Sequence, residues 1–360
     1  MPKVLFIANH RLRRSPGQRF RFEQYLEHLQ ENGFEWELSY IISEDDDKIL
    51  YQKGKYLQKA KLARKAWRIR SRDVARADEF DIIFIFREAL LTGTSRFERA
   101  FSKSNAKVVF DFDDAIWLPN VSLGNKKLQK LKSPAKTSEI LQIADLVFAG
   151  NNYLADYAKK YNQNVKVIPT TIDTHYHDTD RKFDNETVCI GWTGTQTTVK
   201  YLNSLENVFK RLSDKYGKGI CFKVISDYPW NVEGVNIQHI PWTLKEEIQQ
   251  LSSIDIGLMP LTDDQWSKGK CGFKALQYMA LQTVPVVSPV GVNCEIVEDS
   301  VNGFWAKDEE EWYRKLSLLI ENMELRKKMG IAARKTIIDR YSVDAYTNIY
   351  IQHFKDLLSN

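Results

Sequence analysis

One pattern constrains this chain more than any other: short apolar runs alternate with helical periodicity, stop, and then start again. Val4 to Ala8 is an unbroken apolar run, as expected of a parallel strand buried on both faces. After a loop with Ser15, Pro16 and Gly17, the spacing predicts a helix from Arg19 to Asn32, with Phe20, Phe22, Tyr25, Leu26 and Leu29 on one stripe. Further strands are expected at 36–41, 82–86, 108–112, 146–149 and 165–168. The segment from Lys53 to Arg76 reads as a basic helix, with Asp73 its lone acid and Leu57, Trp67 and Ile69 interrupting the charge. Pro169 to Asp173 and the polar stretch to Thr187 read as a linker. The pattern then restarts, with strands at 188–191, 221–225, 237–239, 254–259 and 284–287 and helices at 199–216, 244–251, 273–281, 309–341 and 343–358. Strands separated by helices predict an α/β chain of two doubly wound, Rossmann-like domains. The expected boundaries are 1–170 and 171–342, with the tail 343–360 packing back on the first domain. In such sheets ligands bind at the carboxyl ends of the strands, so two sheets facing a cleft suit the joining of two substrates.

Composition narrows the function classes. A net charge of +5 over 360 residues is too small to argue for nucleic acid. None of the four cysteines forms a C-x-x-C pair or stands at zinc-ligand spacing, which predicts reduced thiols in a cytoplasmic protein. No run is long and apolar enough to span a bilayer, and the N-terminus enters a strand directly, so no signal peptide is expected. His175 and His177 lie near Asp178, but they lack further ligands and read as solvated linker histidines; no metal is expected.

The strongest motif runs from Trp266 through Ser-Lys-Gly-Lys-Cys-Gly-Phe-Lys to Ala280, followed by Thr283-Val-Pro-Val-Val. It reads as a loop, a helix start and a buried strand. Gly269 and Gly272 admit close approach of backbone to ligand. Amides at a helix start suit a diphosphate, and Lys270 and Lys274 bring positive charge to an end where lysine is otherwise unfavourable. Cys271 and Phe273 lie in the same loop, and Gln277 stands further along as a hydrogen-bonding partner for a ribose. A second turn, Ile190-Gly-Trp-Thr-Gly-Thr-Gln-Thr198, ends the first strand of the second domain and offers Trp192, Thr193, Gly194 and Thr195. Trp242, in His239-Ile-Pro-Trp242, reads equally as core or as a base-binding loop residue. In the first half, Asp111-Phe-Asp113-Asp114 ends a strand and Arg87-Glu88 ends another. Asp113 is either a helix cap or a group acting on a sugar, and Arg87-Glu88 either works beside it or forms an exposed ion pair. Gly17, Arg19 and Arg21 follow the first strand.

These residues carry a resemblance. The segment 266–288 resembles the donor-binding signature of the group 1 glycosyltransferases, family 4 of the GT-B fold. That signature usually has two glutamates eight positions apart; here they fall on Gly269 and Gln277, so both acids are absent. A subset of the family has lysines here, and this sequence is closer to that subset. The resemblance implies a glycosyltransferase acting in cell-surface polysaccharide biosynthesis, metal-independent and usually retaining, that takes a nucleotide-sugar as co-substrate and needs no cofactor. The donor would be held by Gly17, Trp192, Thr193, Gly194, Thr195, Trp242, Lys270, Cys271, Gly272, Phe273, Lys274 and Gln277. Asp113, Arg87 and Glu88 would serve catalysis, and Arg19 and Arg21 would meet a phosphate of donor or acceptor. The acceptor would be a saccharide or lipid-linked saccharide, and the basic helix would allow peripheral attachment to an anionic membrane. Two other readings stand beside this one. Asp111-Phe-Asp113 is the D-x-D of metal-dependent GT-A transferases, and the missing glutamates fit a non-catalytic nucleotide-sugar or nucleic-acid binder.

Overall fold

The computed structural model describes residues 1–50, 52, 54–118, 133–178, 180, 181, 183 and 187–359. Lys53, at the start of the basic segment, and parts of the expected linker lie outside the described residues. The chain divides into two compact units, 1–170 with 346–360, and 171–345.

Among the described residues each unit carries a six-stranded, all-parallel sheet. The first unit has β1 (Lys3–His10), β2 (Glu35–Ile42), β3 (Ile82–Phe86), β4 (Lys107–Phe112), β5 (Leu146–Ala149) and β6 (Val165–Val167), in the spatial order β2-β1-β3-β4-β5-β6. The second has β7 (Val188–Gly194), β8 (Ile220–Ser226), β9 (Ile237–Ile240), β10 (Ile256–Met259), β11 (Val284–Val287) and β12 (Phe304–Trp305), in the order β12-β11-β10-β7-β8-β9. Both are doubly wound α/β sheets. In each, chain order reverses beside the first strand, between β1 and β3 in one and between β7 and β10 in the other. Those crevices are where such sheets receive ligands.

Aromatic packing fixes the first sheet. Phe6, Phe22 and Phe84 stack on one another, and the helix 343–359 lays Tyr350 and Phe354 against Phe84 and Phe148. Full burial of each such ring contributes about 1.5–3 kcal/mol. In the second sheet, two strand glycines let side chains close onto the backbone. A Cβ at Gly257 would stand 2.4 Å from the Tyr278 ring, and one at Gly191 would stand 2.5 Å from Ile254.

Several expected elements change shape. The predicted helix 19–32 is a helix at 16–21, a tight turn at 23–25 and a helix at 26–31, broken where Phe22 takes φ −136. The predicted helix 309–341 is two helices, 309–321 and 323–340, with Asn322 capping the second by accepting from the Leu325 amide at 2.9 Å. The expected linker is anchored to the second unit. His177 is fully buried, and Arg181 reaches Asp255 at 2.9 Å and Thr283 at 2.7 Å. The reading of solvated histidines therefore holds for His175 alone, whose side chain is 86% exposed. Short helices at 44–50, 96–101, 135–143 and 152–158 complete the first unit.

Candidate functional site

The second unit's reversal point brings both of its sequence motifs together. β7 ends in Thr193 and Gly194, and its turn is held by side chains: the Thr198 hydroxyl accepts from the Thr195 amide at 3.1 Å, and Asp227 accepts from the Gln196 amide at 2.9 Å. The helix Phe273–Ala280 follows β10. Its residue before the first turn, Gly272, has φ +68, and a Cβ there would lie 2.2 Å from Ile296, so the loop closes only on glycine. Tyr278 on this helix is fully buried, and its hydroxyl accepts from the Thr193 amide at 3.0 Å. One side chain thus fixes the distance between the β7 turn and the helix.

Two lysines belong to this end. Lys270 Nζ lies 5.4 Å from the Trp266 ring centre and Lys274 Nζ lies 5.5 Å from that of Trp192, both cation–π range. Trp192 itself is 2% exposed, within the core cluster of β7, β8 and β10. Its indole is a floor for Lys274 rather than an open face for a ligand, which corrects the expectation of a ligand-facing Trp192. Cys271 and Gln277 are also buried. Gln277 Nε2 stands 3.4 Å from His177 Nε2, whose Nδ1 lies 3.2 Å from the Asp173 carbonyl. His177 was not foreseen here; only its spacing from Asp173 hinted at a capped turn. Trp242 is half-buried against the apolar cluster that holds Leu251, Ile254 and Tyr278, and its indole donates to Glu247 at 3.2 Å.

In the first unit, the reversal point gathers Gly17, Arg87, Asp113 and Asp114. Arg87 Nε donates to Asp113 and Nη2 to Asp114, each at 2.6 Å. A Cβ on Gly17 would lie 3.2 Å from Asp113 Oδ2 and 3.4 Å from Arg87 Nη2. Arg87 has φ +61, a left-handed conformation that costs a non-glycine residue about 1–2 kcal/mol. Such strain marks positions that the surroundings over-determine. Burial pushes the Asp113 carboxyl up, but Arg87's charge and hydrogen bond, joined by Arg21's charge, outweigh it and hold the group below its ordinary value. Asp113 is therefore an anion fixed in one orientation. Residues 113–118 form a turn rather than a helix, which removes the helix-cap reading over that stretch.

Two other expectations are corrected. Arg21 is 2% exposed; its guanidinium is forked onto Asp111 and donates to the Ile168 carbonyl, so it holds β4 and β6 ends together instead of meeting a phosphate. Glu88, expected to serve catalysis beside Asp113 and Arg87 or else to form an ion pair with Arg87, instead pairs with Lys136 at 2.9 Å in a different cluster with Glu98. Arg19 is half-buried, with its guanidinium 4.9 Å from the Phe20 ring centre. Sequence reading missed His10 and Asp47. Asp47 accepts from Arg11 at 2.6 Å and from Arg14 at 2.7 Å, and lies 3.7 Å from His10 Nδ1. Burial lowers His10 to about 4 against the pull of Asp47. Polar residues after β1 and β2 were the only signal for this group. Among the described residues no cluster of histidine, cysteine or carboxylate groups could hold a metal ion.

Comparison with known proteins bears on the fold and on the family of the second unit. Residues 234–336 match the family of glycosyl transferases group 1. No curated protein sequence matches the chain. Among solved structures, sucrose-phosphate synthase from Thermosynechococcus elongatus is similar at TM-score 0.73 and 12% identity, covering all of both chains. Anabaena HepE in complex with UDP and glucose is similar at TM-score 0.65 and 14% identity, over 99% of this chain and 100% of that one. TarM is similar at TM-score 0.59 and 14% identity over 78% of this chain, which spans about half, 55%, of TarM's own length. The fold is GT-B, with two Rossmann-like domains. The metal-dependent GT-A reading is thereby overturned, and Asp111 is in any case enclosed by Arg21.

Proposed function

With a glycosyltransferase of GT-B fold and group 1 type as premise, we propose that the chain moves a sugar from a nucleotide-sugar donor to a saccharide or lipid-linked saccharide acceptor in cell-surface glycan synthesis. One observation carries this reading. Two lysines, a glycine-closed helix start and a hydroxyl-rich strand turn converge on the reversal point of the 171–345 sheet, tied together by Tyr278. Lys270 and Lys274 take the diphosphate, and the backbone of Gly194, Thr195, Cys271, Gly272 and Phe273 surrounds it. Lysine and amide charge neutralise the leaving diphosphate, so no metal is required and no cofactor takes part. Gln277 serves the ribose through its side-chain oxygen, less strongly than a glutamate would. Asp113, held by Arg87, acts on the acceptor or on the positive charge developing at the transferred sugar, with retention of configuration.

The chain meets its acceptor at a membrane surface. Among the described residues no helix is long and apolar enough to cross a membrane. The helix Tyr56–Ala75 instead exposes Lys61, Arg64, Lys65, Arg68 and Arg72, with Tyr56 and Leu57 in its first turn. Arg70 and Asp73 do not belong to that face; they pair with each other in the interior at 2.9 Å. Anionic lipids attract such a surface by about 1 kcal/mol per basic residue, and salt screens it.

The test is a panel of nucleotide-sugars scored by thermal stabilisation, followed by transfer assays with the one that binds. A ligand of the folded state raises the melting temperature. Stabilisation by one nucleotide series, with transfer that persists in chelator, is expected. If no nucleotide-sugar stabilises the chain, the reading fails; binding without transfer or donor hydrolysis would favour a non-catalytic binder.

A further inference from the structure

β7 and β8 pair in parallel with Cys189 directly opposite Cys221. Neighbouring strands lie about 4.8 Å apart, and side chains at paired positions point to one face. That separation falls inside the range of roughly 4.4–6.8 Å between Cα atoms that a disulfide spans. The shared face is an apolar cluster with Ile225, Leu251, Ile254 and Tyr278. The two thiols differ in access: Cys189 is 4% exposed, while Cys221 is half-buried at the cluster's margin. Lys223 stands two residues beyond Cys221, on the same face of the strand, with its Nζ 2.5 Å from Ser253 Oγ.

The electrostatics divide the roles in the same way. Cys189 across the strand pair, with Lys223's charge, holds the Cys221 thiol below its ordinary value, against burial and the charge of Asp255. Cys221 opposite it and its own burial push Cys189 up. An accessible, ionised thiol beside a buried, protonated one is the arrangement of an attacking and a resolving cysteine. Cys294, though exposed, is pushed up by burial and by Glu295.

We propose that Cys189 and Cys221 form a reversible redox pair, in which Cys221 reacts with hydrogen peroxide and Cys189 resolves the product to a disulfide. The Cys221 thiolate attacks one peroxide oxygen. An S–O bond forms, the O–O bond breaks, and the departing hydroxide takes a proton to become water. The Cys189 sulfur then gives up its proton and attacks the Cys221 sulfur. The S–S bond forms, the S–O bond breaks, and a second water leaves. Two thiols are oxidised by two electrons and one peroxide is reduced to two waters; a dithiol reverses the change. The pair touches neither Lys270 nor Lys274, so this proposal and the assignment of the donor site can fail separately.

The experiment uses the whole chain, reduced, freed of reductant and exposed to hydrogen peroxide at neutral pH. Expected are the loss of two hydrogen masses, two of the four thiols becoming unreactive, and a peptide linking Cys189 to Cys221 that disappears with dithiothreitol. In Cys189→Ala, Cys221 should instead gain oxygen. In Cys221→Ala, Cys189 should remain a thiol at the same dose. Before oxidation, iodoacetamide should label Cys221 more than tenfold faster than Cys294 at pH 7, because the Cys221 thiol is lowered and that of Cys294 is raised. Peroxide that oxidises Cys294 first with no linked peptide, or labelling of Cys221 that rises only above pH 8, would overturn the proposal. The wild-type peptide map decides the matter even if a variant folds poorly.

Discussion

The carboxyl ends of the two sheets use charge in opposite ways. In the first unit four arginines are clamped by carboxylates: Arg11 and Arg14 by Asp47, Arg21 by Asp111, and Arg87 by Asp113 and Asp114. In the second unit Lys270 and Lys274 lie over indole rings and Lys268 pairs with Asp263, beside a turn of threonines and glycines. An indole face holds a lysine by about 0.5–1 kcal/mol, whereas a hydrogen bond to a charged group contributes about 1.5–3 kcal/mol. Clamped arginines are suited to holding acids still. Lysines on aromatic floors are suited to giving their charge to an incoming diphosphate. The difference teaches that one fold, used twice, sets the cations at its two reversal points in different surroundings, forked arginine–carboxylate pairs in one and lysines over indole faces in the other.

The sharpest break in that contrast would come from Arg21. Arg21→Met leaves Asp111 buried and uncompensated, so denaturant melts should show a loss of about 3–5 kcal/mol. A variant of wild-type stability with weakened phosphate binding would restore the ligand role that its burial denies. Asp113→Asn comes next. Turnover should fall about 10²–10³-fold, on the scale of one electrostatic group acting in the transition state, while nucleotide affinity stays near wild type. Equal losses in both would place Asp113 among the donor contacts.

The pH dependence of stability gives a smaller effect. His10 titrates near 4 in the fold and near 6.5 unfolded. The unfolded chain therefore binds the extra proton first, and stability drops as pH falls from about 6.5 to about 4, by about 3 kcal/mol. His10→Gln should flatten that part of the profile. An unchanged slope would mean that other groups carry it.

Much of this was legible in the sequence, for physical reasons that can be named. Buried parallel strands are continuous apolar runs, so β1, β3, β4, β5 and β11 stood out within a residue or two. The motif 266–280 was legible because glycine and lysine at a helix start contradict local preference. Partners were not legible. Arg21, Arg70 and Arg87 look alike in sequence, yet two are fully enclosed by acids 90 and 3 residues away, and the third is strained at a strand end. Nor did periodicity reveal that Phe22 would break the first helix, since its apolar stripe continues through the break. Trp192 was expected at the donor and lies in the core, because an indole suits either place and the sequence does not show which way it faces.

The central claim is that the donor diphosphate is held by Lys270 and Lys274 of the second unit. Isothermal titration of UDP, GDP and ADP into wild type, Lys270→Ala and Lys274→Ala tests it directly. At least one nucleotide should bind the wild type, and each substitution should weaken it by about 1–3 kcal/mol, the range of a charged hydrogen bond. Without ligand each substitution removes a cation–π contact of about 0.5–1 kcal/mol, so the melting temperature should fall only slightly. Wild-type affinity in both variants would contradict the account and move the diphosphate elsewhere.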